Sequence, residues 1–363
     1  MHPMVDASAA SPVDTALDPV RSVRGPVDAL LTDFLCAREH DLVALDTRLA
    51  PVVQAVASLV LSGGKRMRPA FVYWGYRASG APHTERLWHT AAAFELLQTF
   101  ALIHDDVMDR SDRRRGQPSV HRALQAHHDA AGLSGDGAWF GVGSAILAGD
   151  LAFVWADELF DTGPIDSSDR ERARVVFTAL RTELMAGQYL DLVLAATPDA
   201  RTEQARGVAL LKAGRYTVTR PLQLGAAIAG VDPQLDAALV GYGDAVGVAF
   251  QLRDDILGLF GDPGATGKGV LDDLRQGKQT LLMLTALEAA DTAQRRALTA
   301  ALGDPDVDDE AAGRVRTIVA DCGALATIEG QITRHFDHAI AAIGEPARSA
   351  LTELADRALF RRD

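Results

Sequence analysis

The acidic segment from Asp105 to Asp109 (DDVMD) has carboxylates at a spacing that could bind a cation. Residues four apart lie on one face of a helix, so Asp105 and Asp109 would present two carboxylates side by side. Like charges at this spacing repel each other, and the pair is costly without a cation. Mg²⁺ suits such a pair, because it is usually held by one or two carboxylates together with substrate phosphate oxygens and water. The segment indicates a magnesium site, and a solvated acidic helix end is the alternative when it is taken alone.

A basic cluster, Arg113 to Arg115, follows the acidic segment almost directly. Guanidinium groups bind phosphate oxygens through a rigid fork of donors, which supplements a bound metal. Each arginine taken separately could belong to a charged turn. Together with the paired carboxylates, however, the cluster favours a diphosphate that metal ions bridge to the protein.

A second acidic pair, Asp254 and Asp255, occurs roughly 150 residues later in a predicted helix. Only folding can bring this pair to the first acidic segment. Two acidic helices that face each other inside a bundle would form a site for several metal ions. Farther along, Lys268 and Lys278 could close over this site and supply positive charge when the diphosphate binds.

Residues 63–69 (GGKRMRP) join two glycines to three cationic side chains at the start of a predicted helix. Backbone amides at such a position, together with the cations, favour a second anion site. A basic surface turn explains this segment equally well when it is viewed alone.

The elements that must position these segments are helices. Apolar residues recur at helical spacing almost everywhere from residue 27 onward, and Gly-Pro punctuation falls between the periodic segments. The pattern predicts an all-α fold, a single large bundle of about ten to thirteen helices with one core. We expect residues 1–26 to form a disordered tail, residues 27–363 to form the helical domain, and residues 130–143 to form a flexible surface loop.

Composition excludes several classes of protein. The 363 residues are 48% hydrophobic and 23% charged, which is typical of a globular chain, and the net charge of −13 disfavours a nucleic-acid partner or an anionic membrane partner. The two cysteines, Cys36 and Cys322, lie far apart in the sequence, which argues against a disulfide scaffold. No apolar run reaches eighteen residues, so no membrane span is expected. The N-terminal residues do not resemble a secretory signal, and a cytoplasmic location is expected.

Five segments occur in the order seen in the trans-isoprenyl diphosphate synthases: GGKRMRP, DDVMD followed by RRG, LLKAGRYT, QLRDDILG and DLRQGK. The chain resembles the short-chain geranylgeranyl and farnesyl diphosphate synthases of this family. The resemblance implies a helical bundle of the isoprenoid synthase type with a central metal-lined cavity, and usually a homodimer. It also implies head-to-tail condensation of isopentenyl diphosphate with an allylic diphosphate.

The resemblance also implies roles for individual residues. Two Mg²⁺ ions are assigned to Asp105 and Asp109 and a third to Asp254, with Mn²⁺ as a possible substitute. Contacts with the allylic substrate or its diphosphate are assigned to Arg114, Lys212, Gln251, Lys268 and Lys278. The isopentenyl diphosphate site is assigned to Lys65, Arg68, Gln98 and Arg115. The catalytic set implied by the family is Asp105, Asp109, Arg114, Lys212, Gln251, Asp254 and Lys268.

Two positions depart from the family pattern. Gly258 replaces a third aspartate of the second acidic motif, so weakened or rearranged metal binding is expected. Ala213 replaces a threonine whose hydroxyl helps to orient the substrate in relatives, so slower turnover is expected. Asp262 lies eight residues after Asp254, but Gly261 and the proline after Asp262 predict that the helix ends there, and no ligand role is assigned to it.

Product length is predicted from the residues that precede the first acidic motif. Phe100 lies five residues before Asp105, about 7–8 Å along the helix axis, and the neighbouring Ala101 is small. In the family, an aromatic residue at this position, without an insertion in the motif, resembles the twenty-carbon synthases. The alternative is that Phe100 only fills the core. We expect geranylgeranyl diphosphate as the product, with farnesyl diphosphate as the alternative.

Two other classes of protein are alternatives to a prenyl diphosphate synthase. A class I terpene cyclase shares the bundle and the metal chemistry, but it has no use for an anion site at residues 63–69. A non-catalytic regulatory subunit tends to lose aspartates from the first motif, and all of them are present here. Gly258 and Ala213 keep the regulatory alternative open.

Overall fold

The computed structural model describes residues 18–197, 200–261 and 271–360. Helices account for 79% of these described residues, which confirms the all-α prediction. The expected disorder of residues 1–17 concerns a part of the chain outside the described residues. The helices are α1 Arg21–Leu45, α2 Ala50–Leu61, α3 Met67–Arg77, α4 Trp88–Met108, α5 Val120–Ala130, α6 Gly137–Thr162, α7 Ser167–Ala195, α8 Thr202–Val208, α9 Arg220–Ala229, α10 Pro233–Phe260, α11 Asp272–Arg275, α12 Leu281–Ala289, α13 Thr292–Ala301, α14 Asp309–Asp321, α15 Ala324–Ala342 and α16 Arg348–Leu359.

Three further kinds of element connect these helices. Short 3₁₀ turns, Thr47–Leu49 and Glu85–Leu87, precede α2 and α4. A two-stranded antiparallel hairpin, β1 (Arg113–Arg114) and β2 (Gln117–Pro118), follows α4. A π-helical segment, Ala209–Thr219, joins α8 to α9.

The helical domain begins earlier than the sequence predicts. α1 starts at Arg21, and Val23 is fully buried on its inner face. The indole Nε1 of Trp74 donates a hydrogen bond to the backbone carbonyl of Pro19 at 3.0 Å. The assignment of residues 18–26 to a disordered tail is therefore wrong, because their apolar side chains pack on the core.

The connection between α5 and α6 is shorter than the flexible loop expected at residues 130–143. α6 begins at Gly137, and the side chain of Asp136 caps it by accepting hydrogen bonds from the backbone N–H groups of Ala138 and Trp139, at 2.9 and 3.1 Å. Aspartate is a favourable N-cap residue. The glycines in this stretch have low helix propensity and concealed the first turns of the helix.

An aromatic cluster at the centre of the bundle joins three of the long helices. Phe94 of α4, Phe160 of α6 and Phe177 of α7 are fully buried. The rings of Phe160 and Phe177 stack with centroids 4.6 Å apart, and Phe94 meets Phe177 edge-on at 5.9 Å. Aromatic pairs of this kind stabilise a core by more than their buried area alone. The cluster fixes α4 and α7, which both carry side chains of the site described below.

The π-helical segment lies between α7 and α10, and glycines allow its backbone to approach both helices. A Cβ atom on Gly187 of α7 would lie 2.5 Å from the backbone nitrogen of Lys212. A Cβ atom on Gly214 would lie 3.0 Å from the carbonyl carbon of Gly247 in α10. Long π-helical stretches are rare and occur mostly at functional sites. The close approach of α7 fixes the position of Lys212.

α6 is long and apolar enough to cross a membrane, judged by length and composition alone, with 28% of its apolar window buried. It also carries charges that pair with neighbouring helices. Asp157 forms ion pairs with Arg174 and Arg181 of α7 at 3.0 and 2.6 Å, and Glu158 pairs with Arg38 of α1 at 2.9 Å. α6 is therefore packed into the bundle on this side, and the expected lack of a membrane span stays a prediction.

Candidate active site

A cavity of about 590 Å³ opens among α4, α7, α10 and the π-helical segment. This volume falls within the usual range for small-molecule sites, roughly 300–1,000 Å³. The cavity brings together residues from all five sequence segments. The predicted site residues that line it are Lys65, Arg68, Gln98, Asp105, Arg114, Arg115, Lys212, Gln251, Asp254 and Lys278.

The carboxylates of the first acidic motif lie one turn apart at the end of α4, and each contacts a lysine from a distant segment. Asp105 Oδ1 accepts hydrogen bonds from Lys212 Nζ at 3.2 Å and from Gln188 Nε2 at 3.1 Å. Asp109 Oδ2 accepts one from Lys278 Nζ at 2.7 Å. The fold therefore places cationic groups against both predicted metal ligands.

Asp106, between these two residues, has a different environment. Its side chain is buried, and its Oδ1 accepts hydrogen bonds from Arg114 Nε at 2.9 Å and from Arg114 Nη2. Burial alone would lower the pKa of Arg114, but the neighbouring Asp106 raises it, with smaller contributions from Asp105 and Asp109. Asp106 thus orients a charged guanidinium at the wall of the cavity.

Lys212 is the cation that the π-helical segment supplies. Its Nζ pairs with Asp191 at 2.6 Å in addition to its contact with Asp105. Burial alone would lower the pKa of this ammonium, but Asp105 and Asp191 raise it above its ordinary value. Lys212 therefore remains charged at the wall of the cavity.

Sequence reasoning missed two residues of α7 that contact this centre. Gln188 and Asp191 are three residues apart, so they share one helical face, and they contact Asp105 and Lys212 respectively. Their i, i+3 spacing was the available signal, but such pairs are common on solvated helices. Only the fold shows that this face of α7 meets the cavity.

The two aspartates of the second acidic motif both line the cavity. Asp255 is buried and accepts hydrogen bonds from Gln251 Nε2 at 2.8 Å and from the backbone N–H of Leu281 at 3.2 Å. Burial raises the pKa of Asp255 to about 7. Asp255 therefore joins α10 to the first residue of α12.

All three cations of the basic segment at residues 63–69 line the cavity, but the guanidinium of Arg66 is tied to other helices. Arg66 is buried, and its backbone adopts the left-handed conformation, with φ of 47°. Its guanidinium pairs with Asp28 at 2.6 Å and with Glu95, and it donates to the carbonyl of Val60 at 2.9 Å. Arg66 thus fastens the segment to α1, α2 and α4. Sequence reasoning had grouped it with the anion-binding cations.

The neighbouring cation Arg68 faces the cavity and is held by the π-helical segment. Its Nη2 donates to Thr217 Oγ1 at 2.8 Å, and its guanidinium lies over the ring of Tyr216, 4.5 Å from the centroid. The Tyr216 hydroxyl donates to Gln98 Oε1 at 2.8 Å. Arg115 approaches from the β1–β2 turn, and its Nη1 donates to Ser62 Oγ at 3.2 Å. This end of the cavity is strongly cationic.

Some predicted residues lie elsewhere. Lys268 belongs to residues 262–270, as does Asp262, and both are outside the described residues. Among the described residues that line the cavity, none of Asp109, Phe100 and Ala101 is found. Phe100 packs against Phe153 of α6, with ring centroids 5.0 Å apart, so its role in product length stays a prediction.

The donor set of the cavity fits Mg²⁺. Within residues 18–197, 200–261 and 271–360, no three His, Cys, Asp or Glu side chains converge closely enough to hold a metal ion by themselves. Asp105 and Asp254 nevertheless face one cavity and offer only carboxylate oxygens, the hard ligands that Mg²⁺ prefers. Substrate phosphate oxygens would have to complete the coordination.

Comparison with known proteins places this geometry in a family. The polyprenyl synthetase family model matches residues 50–321. The geranylfarnesyl diphosphate synthase of Aeropyrum pernix is 33% identical over 285 residues, which cover 77% of this chain and 83% of that protein. The (2E,6E)-farnesyl diphosphate synthase of Mycobacterium bovis is 33% identical over 305 residues, which cover 82% and 79% respectively.

The fold of one solved structure matches almost the whole of this chain. The geranylgeranyl pyrophosphate synthase from Corynebacterium glutamicum, complexed with isoprenyl diphosphate and magnesium, matches with a TM-score of 0.90 and 38% identity. The match covers 95% of this chain and 99% of that chain. This chain therefore belongs to the polyprenyl synthetase family.

Proposed function

We propose that this protein is a Mg²⁺-dependent trans-prenyltransferase that condenses isopentenyl diphosphate with an allylic diphosphate. The observation that carries the proposal is one cavity lined by cations from distant segments of the chain. Lys212 and Lys278 lie against the carboxylates of the first acidic motif, whereas Lys65 and Arg68 lie in the basic segment after α2. Two anion sites in one cavity suit two diphosphate substrates.

The proposed reaction uses these cations to stabilise a departing diphosphate. The allylic C–O bond breaks, and the diphosphate leaves with the electron pair toward Arg114, Lys212 and Lys278. The double bond of isopentenyl diphosphate then forms the new C–C bond with the allylic cation. A proton leaves the condensed intermediate for the released diphosphate, so the product regains a double bond.

The acidic residues would hold the metal ions that this reaction needs. We assign two ions to Asp105 and Asp109 and a third to Asp254, with Mn²⁺ as a substitute for Mg²⁺. Bound Mg²⁺ would supply Lewis-acid neutralisation of the diphosphate charge. Apolar side chains on the cavity wall, Met67, Phe250 and Leu257, reduce the access of water, which would otherwise trap the allylic cation as an alcohol.

Geranylgeranyl diphosphate is the product that we favour, and farnesyl diphosphate is the alternative. Phe100 precedes Asp105 by five residues on α4, and its ring packs against that of Phe153. An aromatic pair at this depth would stop a growing chain that passes between α4 and α6. The related synthases carry names for fifteen- and twenty-five-carbon products as well, so product length depends on this local packing.

We further propose that the protein acts as a homodimer in the cytoplasm. α6 and α7 expose large apolar side chains on their outer faces, among them Leu147, Val154, Val175 and Tyr189. Contiguous exposed apolar patches typically mark interaction sites, and these side chains support such a site on α6 and α7. A second copy of the chain would cover it.

The proposal is tested by measuring diphosphate release with each substrate alone and with both together. Condensation predicts release only when both substrates and Mg²⁺ are present, with one diphosphate released per isopentenyl diphosphate consumed. Release from the allylic substrate alone would indicate a cyclase. If no combination released diphosphate, the proposal would be contradicted and the regulatory-subunit alternative favoured.

A further inference from the structure

Two residues of the π-helical segment, Lys212 and Thr217, line the same cavity although they are five residues apart. In an α-helix, side chains at this spacing point about 140° apart. The hydrogen bonds of a π-helix instead join residues five apart, so that such residues lie on one face. The backbone geometry of the segment is therefore what brings both residues to the wall of the cavity.

These two residues serve different ends of the cavity. Lys212 Nζ lies 3.2 Å from Asp105 Oδ1 in the first acidic motif. Thr217 Oγ1 accepts a hydrogen bond from Arg68 Nη2, in the basic segment at residues 63–69, at 2.8 Å. A change in the helical register of this one segment would therefore disturb the surroundings of Asp105 and of Arg68 together.

A second pair at the same spacing, Gly214 and Thr219, faces α10. A Cβ atom on Gly214 would lie 3.2 Å from Gly247 Cα, and a Cβ atom on Gly243 would lie 2.6 Å from Thr219 Cα. Both contacts involve backbone atoms, which cannot rotate away as the end of a long side chain can. The π-helical register thus fixes one face of the segment on α10 while the other face lines the cavity.

Asp244 of α10 binds the segment at this contact. Its Oδ1 accepts a hydrogen bond from the hydroxyl of the buried Thr219 at 2.7 Å, and its Oδ2 lies 3.4 Å from Arg215 Nη2. Arg215 also pairs with Glu183 of α7 at 3.1 Å. One carboxylate therefore contacts two side chains of the last turn of the segment, and the hydrogen bond to Thr219 is the shorter contact.

We propose that Asp244 is a positioning residue whose contact with Thr219 holds the π-helical register, and that this register sets Lys212 and Thr217 at the two substrate sites. Asp244 is not among the described residues that line the cavity, so it acts through the segment and not by touching substrate. The inference rests on the proposed function and deepens it, because it makes condensation depend on a residue outside the cavity.

The test compares the full-length wild-type protein with Asp244→Ala by steady-state kinetics and by amide hydrogen exchange of residues 209–219. The variant should exchange faster in this segment, because the segment loses a contact that holds it closed. Its kcat should fall by about 10-fold or more, since a misplacement of about 1 Å can cost about 100-fold in rate. Because Lys212 and Thr217 move together, kcat/KM should fall for both substrates. Asp244→Asn keeps an oxygen acceptor for Thr219 and should retain most of the activity.

A matched control and a double variant make the test specific. Asp236→Ala also removes a carboxylate from α10, but Asp236 accepts its hydrogen bond from Gln223 of α9 at 2.9 Å, and it should change neither the kinetics nor the exchange of residues 209–219. Thr219→Val removes the hydroxyl that Asp244 binds, so it should reproduce the kinetic effect of Asp244→Ala. The double variant should be no slower than the slower single variant, because both changes remove one contact.

Thermal unfolding separates a positioning role from a purely structural one. Kinetics are measured at a temperature at which each variant is folded, and Thr219→Val carries the test by the same criteria if Asp244→Ala does not fold. A lowered unfolding midpoint with unchanged kcat/KM, unchanged exchange of residues 209–219, or fully additive effects of the two changes on kcat would each overturn the inference and leave the proposed function intact. If the wild-type protein condensed no substrates, the proposed function would fail and the inference with it.

Discussion

Three aspartates of one short motif have different partners. Asp105 and Asp109 meet cations that come from distant segments, whereas Asp106 is buried against Arg114. The motif therefore combines two groups suited to metal binding with one that positions an arginine. This division follows from the helix, because adjacent residues point about 100° apart.

The first prediction concerns the metal-facing carboxylate. Asp105→Asn keeps the shape of the side chain but removes the charge, and it should lower kcat by at least about 100-fold, the scale of losing one electrostatic contact to a transition state. Steady-state kinetics at saturating substrate would measure the effect. Asp112→Asn is the control, since Asp112 is exposed and its carboxylate pairs with Arg122 at 2.7 Å. Activity close to that of the wild type in Asp105→Asn would exclude this metal site.

The second prediction concerns product length. Phe100 is buried against Phe153 and His104, at ring distances of 5.0 and 4.8 Å. Phe100→Ala should open space toward α6 and shift the products to longer chains. Chromatography of the dephosphorylated products would show the shift. An unchanged distribution would place the floor of the chain-length pocket elsewhere.

At the scale of elements, the sequence predicts which segments carry chemistry but not how each side chain is aimed. The segment with Lys212 has ordinary helical periodicity, and its π-helical backbone and close approach to Gly187 of α7 and Gly247 of α10 are visible only in the fold. Arg66 and Arg68 could not be assigned separate roles either. Arg66 pairs with Glu95, whereas Arg68 donates to Thr217 of the π-helical segment, a difference set by tertiary contacts.

An ionic network ties α7 to the π-helical segment and to α9. Glu183 of α7 accepts hydrogen bonds from Arg215 at 3.1 Å and from Arg220 at 2.8 Å. Burial alone would raise the pKa of Glu183, but Arg220 and Arg215 lower it below its ordinary value. A carboxyl whose pKa is lower in the folded state stabilises the fold above its unfolded pKa, and this contribution is lost as the pH falls through the folded pKa.

The third prediction follows from the lowered pKa of Glu183. Glu183→Gln should reduce the free energy of unfolding at pH 7 by about 1.5–3 kcal/mol, the scale of hydrogen bonds to a charged group. The difference between variant and wild type should shrink as the pH falls below about 4, near the pKa of an unfolded glutamate. Denaturant unfolding at pH 7 and at a pH below about 4 would measure the two differences. An equal difference at both values would show that the carboxylate charge is not the cause.

At the scale of the whole molecule, the all-helical architecture could be predicted and its boundaries could not. Periodic apolar residues identify the bundle, but the start of α1 depends on Val23 reaching a core that the sequence does not show. The start of α6 was concealed by glycines beside the capping Asp136. The net charge of −13 likewise conceals the lysines and arginines that are concentrated at the cavity.

The fourth prediction concerns assembly. Leu147 of α6 is 63% exposed on the apolar outer face, and Leu147→Glu should convert a dimer to a monomer. Light scattering after size exclusion would report the mass. Leu45→Glu is the matched control, because Leu45 is also an exposed leucine but lies at the end of α1. A monomeric wild-type protein, or a variant with dimer mass, would contradict the assignment.

The most direct test of the central claim is one incubation of the purified protein with labelled isopentenyl diphosphate, Mg²⁺ and farnesyl diphosphate. The products would be dephosphorylated and sized by chromatography. The proposed reaction predicts a labelled twenty-carbon alcohol that disappears when Mg²⁺ is chelated. If no labelled product longer than isopentenol formed with farnesyl, geranyl or dimethylallyl diphosphate as primer, the assignment as a prenyltransferase would be contradicted.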